Sequence, residues 1–228
     1  MSTAPAAASR DRSFFWRRLH SFSGVFPIGA FLLEHLYTNA YAINGAAAYN
    51  QKVRGITEMP LVLGLEILFI YIPIAFHGFY GMWIWWRGEG NLAAYPWTGN
   101  WLYGAQRWTG LFTLAYVGYH VWEQRISGAS IMGSYFVAFS KVQHSLARPA
   151  TLAFYAAGLL STCFHFAYGV WLFAAKWGLA PGRRAQARLR WACAGLFAAL
   201  SGVGLWSLYS FVSAPLQPRP EALIRMSR

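Results

Sequence analysis

Histidines at near-equal spacing inside charge-poor apolar stretches constrain this chain more than any other feature. Five such stretches are each long enough to be a helix: Phe14 to Tyr37, Pro60 to Trp86, Gln106 to Trp122, Pro149 to Trp177 and Trp191 to Phe211. His35, His77, His120 and His165 fall one to each of the first four, separated by 42, 43 and 45 residues. Only 11% of the residues are charged and 57% are hydrophobic, and the mean hydropathy is +0.32. A soluble domain carries about 25% charged residues, so these numbers point to a polytopic membrane protein. In lipid only helices and closed barrels satisfy the backbone. The alternation that a barrel strand needs is absent. The expected fold is therefore all-α, a bundle of five transmembrane helices with Trp and Tyr crowding their ends.

The net charge of +12 does not imply nucleic acid. The basic residues sit between apolar segments, where the positive-inside rule and contact with anionic lipid account for them. With the N-terminus inside, eleven of the nineteen fall on the inner side. Five of these (Lys176, Arg183, Arg184, Arg188, Arg190) lie in one short loop. This predicts a cytoplasmic N-terminus and an outer C-terminus. The expected division is a cytoplasmic tail over 1–13, the five-helix domain over 14–212 and an outer tail over 213–228. Arg17 and Arg18 stand where a signal peptide would have its apolar core, so Met1 to Arg12 reads as a tail. Ile131 to Phe139, in an outer loop, reads as a short interfacial helix. Cys163 and Cys193 lie in apolar segments and read as small buried residues. There is no C-x-x-C-H, which excludes covalent haem attachment.

Ionisable side chains in lipid are costly, and four at one per helix are not incidental. Helix direction sorts them by depth. The first and third segments run outward and carry His35 and His120 near their outer ends. The second and fourth run inward, with His77 and His165 roughly 14 and 18 Å from their inner ends. His35 can therefore meet His120 in the outer half, and His77 can meet His165 in the inner half. Two facing neutral imidazoles are a cage for a six-coordinate b-type haem iron. Such an iron has no open position and suits electron transfer. Gly78, Gly81, Gly110, Gly118, Gly158 and Gly169 leave room for a flat macrocycle or for close helix packing.

Further candidates follow from the helical wheel. Lys176, eleven residues after His165, can reach inner-haem propionates. His20 and Ser21 open the first helix on the inner side, and Gln106 lies at the inner end of the third; all three are candidates for haem edges or propionates. Glu66 shares a face with His77 about 16 Å nearer the outside. Glu58 or Glu66 is expected to exchange protons with a quinone beside the outer haem.

The order of these motifs resembles the five-helix, di-haem cytochrome b membrane-anchor subunit of the succinate:quinone oxidoreductase / quinol:fumarate reductase family. The matching stretches are Arg18-Leu19-His20-Ser21, Glu34-His35-Leu36 with Asn39, His77-Gly78, Tyr119-His120-Val121-Trp122 with Arg125, and His165. The resemblance covers about Ser13 to Phe211. It implies His35 and His120 as axial ligands of a distal haem b, and His77 and His165 of a proximal one. It also implies a flavoprotein subunit and an iron–sulfur subunit docked on the inner face. Succinate/fumarate chemistry would then sit on those other chains, with quinone, by resemblance menaquinone, as substrate of the membrane part. The implied setting is the bacterial cytoplasmic membrane and its respiratory chain, with a link to the tricarboxylic acid cycle. A di-haem subunit of a hydrogenase or formate dehydrogenase is the alternative. Cys163 stands where some relatives carry a glutamate linked to proton uptake, which removes the acid that such a route would use.

Overall fold

Proline placement shapes the helices of this protein. The computed structural model describes residues 4–88, 93–127 and 137–226, with side chains from Ser13 onward. Helix α1 (Ala4–Val25) runs into α2 (Pro27–Ala40) through Phe26. Pro27 cannot donate to the preceding turn and its ring crowds it, so the first apolar segment is two helices rather than one rod. The bonds from Phe26 N to Phe22 O (3.0 Å) and from Ala30 N to Phe26 O (2.9 Å) keep the halves joined.

After a short 3-10 turn (Tyr41–Asn44), α3 (Ala46–Thr57) crosses the end of the bundle at which α2 finishes, the end expected to face outward and called the outer end below. Next, α4 (Val62–Glu66), a wide π-type turn (Ile67–Tyr71) and α5 (Ile72–Trp86) make one 25-residue rod. The widened turn precedes Pro73, whose missing N–H would otherwise bond the Phe69 carbonyl. Helix α6 (Thr98–Val121) begins eight residues earlier than its apolar pattern, on extended Trp97, and ends in a second π-type turn, Trp122–Ile126. The rest comprises α7 (Ala138–Leu146), α8 (Pro149–Lys176), α9 (Arg183–Ser213) and α10 (Pro220–Met226). The charged run Arg183–Arg190 is helical, because its long aliphatic stems can lie along apolar surface with their heads in water. Most of the expected interfacial helix, Ile131 to Phe139, lies outside the described residues.

All regular structure among the described residues is helical. Among the described residues three helices are long and apolar enough to cross a membrane: Val62–Trp86, Pro149–Lys176 and Arg183–Ser213. At 1.5 Å per residue these are roughly 38, 42 and 46 Å long, more than the ~30 Å hydrocarbon core. Helix α8 is central, packing on α6, α9 and α1. Both cysteines are free and buried, as their apolar settings suggest.

The best-buried cluster is at the outer end. Ala42, Tyr49, Phe139, Leu146, Tyr155 and Phe211 form it, where α3 and α7 cap α8 and α9. Gln143 ties the chain after α9 to this cap. Its amide donates to the carbonyls of Phe211 and Ala214 (both 3.0 Å) and Pro215 (3.3 Å), and its Oε1 accepts from Gln217 N (2.8 Å). His144 Nε2 donates to Gln217 O at 2.9 Å.

Candidate functional site

The helix order brings the four spaced histidines together in two pairs. His77 on α5 meets His165 on α8, with ring centroids 6.1 Å apart and planes at 84°. His35 on α2 meets His120 on α6, at 5.6 Å and 80°. A metal held by two imidazole nitrogens at about 2 Å each, with each ring centre about 1.1 Å behind its nitrogen, sets centroids about 6.2 Å apart. The inner pair is at that spacing and the outer pair slightly inside it. Among the described residues no three His, Cys, Asp or Glu side chains converge as a cage. Two facing imidazoles per pair are the donor set that a six-coordinate haem iron would take. The residues present fit that group.

In the inner pair the tautomers follow from the hydrogen bonds. His77 Nδ1 donates to the carbonyl of His20 (3.0 Å), and His165 Nδ1 donates to the carbonyl of Gln106 (3.0 Å). A carbonyl can only accept, so Nδ1 carries the hydrogen in both rings and Nε2 keeps its lone pair for a metal. Gln106 closes the clamp by donating its Nε2 to the carbonyl of His165 at 3.0 Å. Its Oε1 is buried without a donor among the described residues. Ser23 Oγ donates to the His20 carbonyl (2.9 Å) and lies 3.4 Å from His77 Nδ1.

Glycine permits both rings to seat. A Cβ on Gly24 would come within 2.5 Å of His77 Cε1, and one on Gly110 within 2.6 Å of His165 Cε1. Gly110 is one of the glycines that the sequence singles out; Gly24 is not. By contrast, Gly118 has open space around its Cβ position, and Gly158 makes room for the Tyr116 ring.

The outer pair is held differently. His120 is walled by Tyr116 and Tyr155, with ring centroids 5.8 and 5.6 Å away. Its Nδ1 is buried with no acceptor among the described residues. His35 lies against the Phe31 ring at a tilt of 34°, and its carbonyl accepts from Asn39 Nδ2 at 2.8 Å.

The remaining candidates divide. His20 lies flat on His77, with centroids 4.0 Å apart and planes 9° from parallel. Lys176 ends α8 within electrostatic range of His20 and Arg17. Ser21 is half-buried beside them, and Ser23, which sequence reasoning missed, makes the contact with His77. Its position one helical turn after His20 was the available signal. Both candidate acids have arginine partners. Glu58 pairs with Arg54 at 2.9 Å on the exposed side of α3, one turn along. Glu66 accepts from Arg125 Nη2 at 2.8 Å across the gap between α4 and the end of α6. Tyr71, in the first π-type turn, also contacts Arg125. The bond with Glu66 lifts the already high pKa of Arg125 further, so this cation is permanent. Also at this end, Glu123 accepts from Arg148 (2.8 Å), Tyr155 (2.9 Å) and Tyr119 (3.1 Å). His144 is engaged with the chain after α9, away from the pairs.

No protein-family model matches the chain. It is similar to the succinate dehydrogenase cytochrome b558 subunit of Bacillus subtilis (strain 168), with 42% identity over 204 residues. That match covers 90% of this chain and 100% of the relative. Identity at this level along the whole of a relative places the two in one family: the chain belongs to the family of succinate dehydrogenase cytochrome b membrane subunits.

Proposed function

We propose that this chain anchors a succinate dehydrogenase complex in the membrane and holds two b haems that connect its iron–sulfur subunit with quinone. The observation that carries this reading is the pair of facing imidazoles repeated twice, in a chain whose relative is a cytochrome b. His77 and His165 would hold the inner haem, and His35 and His120 the outer one. Each bound group would supply reversible one-electron chemistry at a saturated iron.

The chain's own residues have distinct tasks. The carbonyls of His20 and Gln106 orient the inner ligands and make them better donors. His20, Ser21, Lys176 and the free Oε1 of Gln106 serve haem edges and propionates on the inner side. Tyr116 and Tyr155 exclude water from the outer ligand. The domain comprises residues 14–212, with five spans, the N-terminus inside and the C-terminus outside, between tails 1–13 and 213–228. Support for five spans comes from α1–α2 and α6, which lie alongside the three apolar helices. In the bacterial cytoplasmic membrane, the flavoprotein and iron–sulfur subunits bind the basic inner face. The succinate chemistry belongs to those chains.

Quinone, menaquinone by family likeness, is assigned to the outer side, where Glu58 or Glu66 exchanges its protons. Glu66 is the better placed, since Arg125 brings it to the end of α6, five residues beyond His120. Glu58→Gln and Glu66→Gln test this by quinone-linked turnover; unchanged turnover in both removes the assignment. The wider reading is tested by a reduced-minus-oxidised spectrum and haem quantification of the purified complex. Two b haems per chain are expected, falling to one in His77→Ala or His120→Ala. Absence of b-type bands, or one haem per chain in the parent, overturns it.

A further inference from the structure

At the inner end, α1 and α8 enclose a groove of about 250 Å³ lined by Phe14, Phe15, Arg18, Leu19, Phe22 and Trp177. Arg18 is its charged wall. The guanidinium lies over the Phe14 ring at 4.6 Å and the Trp177 ring at 4.9 Å, and its hydrogen bond among the described residues is to the Lys176 carbonyl, at 3.5 Å. No carboxylate among the described residues pairs with it. The Trp177 indole N–H is buried and has no acceptor among the described residues. Arg17 and Lys176, the chain neighbours of Arg18 and Trp177, lie within electrostatic range of each other.

The face of α1 decides what anion this suits. Arg18 and His20 are two residues apart, so their side chains point about 160° away from each other. His20 is the one stacked on His77. Arg18 therefore belongs with Phe14 and Phe22, one turn either side of it, on the stripe turned away from the histidine pairs. Phe14, Phe15 and Phe22 are exposed there, at 58%, 58% and 42%. The stripe that carries Arg18 is therefore not the one that carries His20. The combination is a fork of donors at the depth of lipid headgroups above an aromatic trough, which matches a phosphate with acyl chains below it.

We propose that this groove binds one anionic phospholipid, with its phosphate on Arg18 and the Trp177 N–H and an acyl chain along Phe14, Phe15, Leu19 and Phe22. The proposal rests on the membrane reading above, and haem spectra keep the two separable. The assay reconstitutes the purified complex in vesicles of equal parts phosphatidylglycerol and phosphatidylcholine, extracts it again in detergent, and counts retained lipid per complex by mass spectrometry. The parent should retain phosphatidylglycerol in preference to phosphatidylcholine. Arg18→Gln should retain roughly ten-fold less, the expected effect of losing a charge-assisted bond. Trp177→Phe keeps the ring and loses only the N–H, so it should also retain less. Both variants should keep the two-haem spectrum. Equal phosphatidylglycerol retention in parent and Arg18→Gln, or equal retention of the two lipids by the parent, overturns the proposal. If Arg18→Gln does not assemble, Trp177→Phe decides: parent-level retention there overturns it.

Discussion

Gly110→Ala gives the sharpest test of the inner histidine pair, because two calculable effects have opposite signs. In an exposed helix the added methyl stabilises by about 0.8–1 kcal/mol through backbone entropy. At Gly110 it would stand 2.6 Å from His165 Cε1, close to 1 Å inside ordinary carbon–carbon contact. The ring cannot turn away without lengthening its 3.0 Å bond to the Gln106 carbonyl. Loss of such a ligand-orienting bond typically lowers metal affinity 10–100-fold, which outweighs the propensity gain at this site. Gly118→Ala is the control, since it is on the same helix and its Cβ would meet nothing within 4 Å. The assay is haem quantification and the reduced-minus-oxidised spectrum of each purified complex, alongside thermal unfolding. Gly110→Ala should fall towards one haem per chain. Gly118→Ala should keep two and melt no lower than the parent. Two haems with an unchanged spectrum in Gly110→Ala, or equal haem loss in Gly118→Ala, would refute the assignment of Gly110 as the floor of a ligand pocket.

Gly24→Ala should act on the same haem from the other side, since its methyl would stand 2.5 Å from His77 Cε1; the same spectra check it. Removing one partner of the Glu66–Arg125 pair leaves a half-buried charge alone, so Arg125→Met should melt below the parent by thermal unfolding. Glu66→Leu/Arg125→Met should recover much of that loss, because replacing both charges removes the desolvation penalty as well as the attraction. Gln143→Ala breaks four hydrogen bonds at a 3%-exposed site, and should cost about 2–4 kcal/mol at about 1 kcal/mol per bond. It should also release the chain after Phe211, read as faster protease cleavage beyond residue 213.

Lipid makes a membrane chain's helices readable, because every backbone group must be satisfied within its own segment. The apolar runs ending at Trp86, Trp177 and Phe211 therefore mark the three long helices to within a few residues at that end. The histidine spacing works in the same way: one ionisable ring per helix, at depths set by helix direction, limits which rings can meet. Patterning failed where a helix starts ahead of its apolar run, on small, polar and aromatic residues at Thr98–Ala105 and on a charged stretch at Arg183–Arg190.

What hydropathy could not supply were contacts made by backbone atoms of one helix to side chains of another. The carbonyls of His20 and Gln106 leave no trace in residue type, yet they set which nitrogen of His77 and His165 is free. Gly24 became visible as a seat for His77 only once α1 lay against α5. Glu58 and Glu66 look alike in the sequence. Packing gave one a partner on its own helix and the other a partner across a helix gap. The spacing of His35, His77, His120 and His165 by itself determined an all-helical chain with two possible imidazole pairs. Only the tertiary structure decided their tautomers, their seats and the outer cap built from Tyr49, Phe139 and Phe211, because each depends on distances between segments that no periodicity encodes.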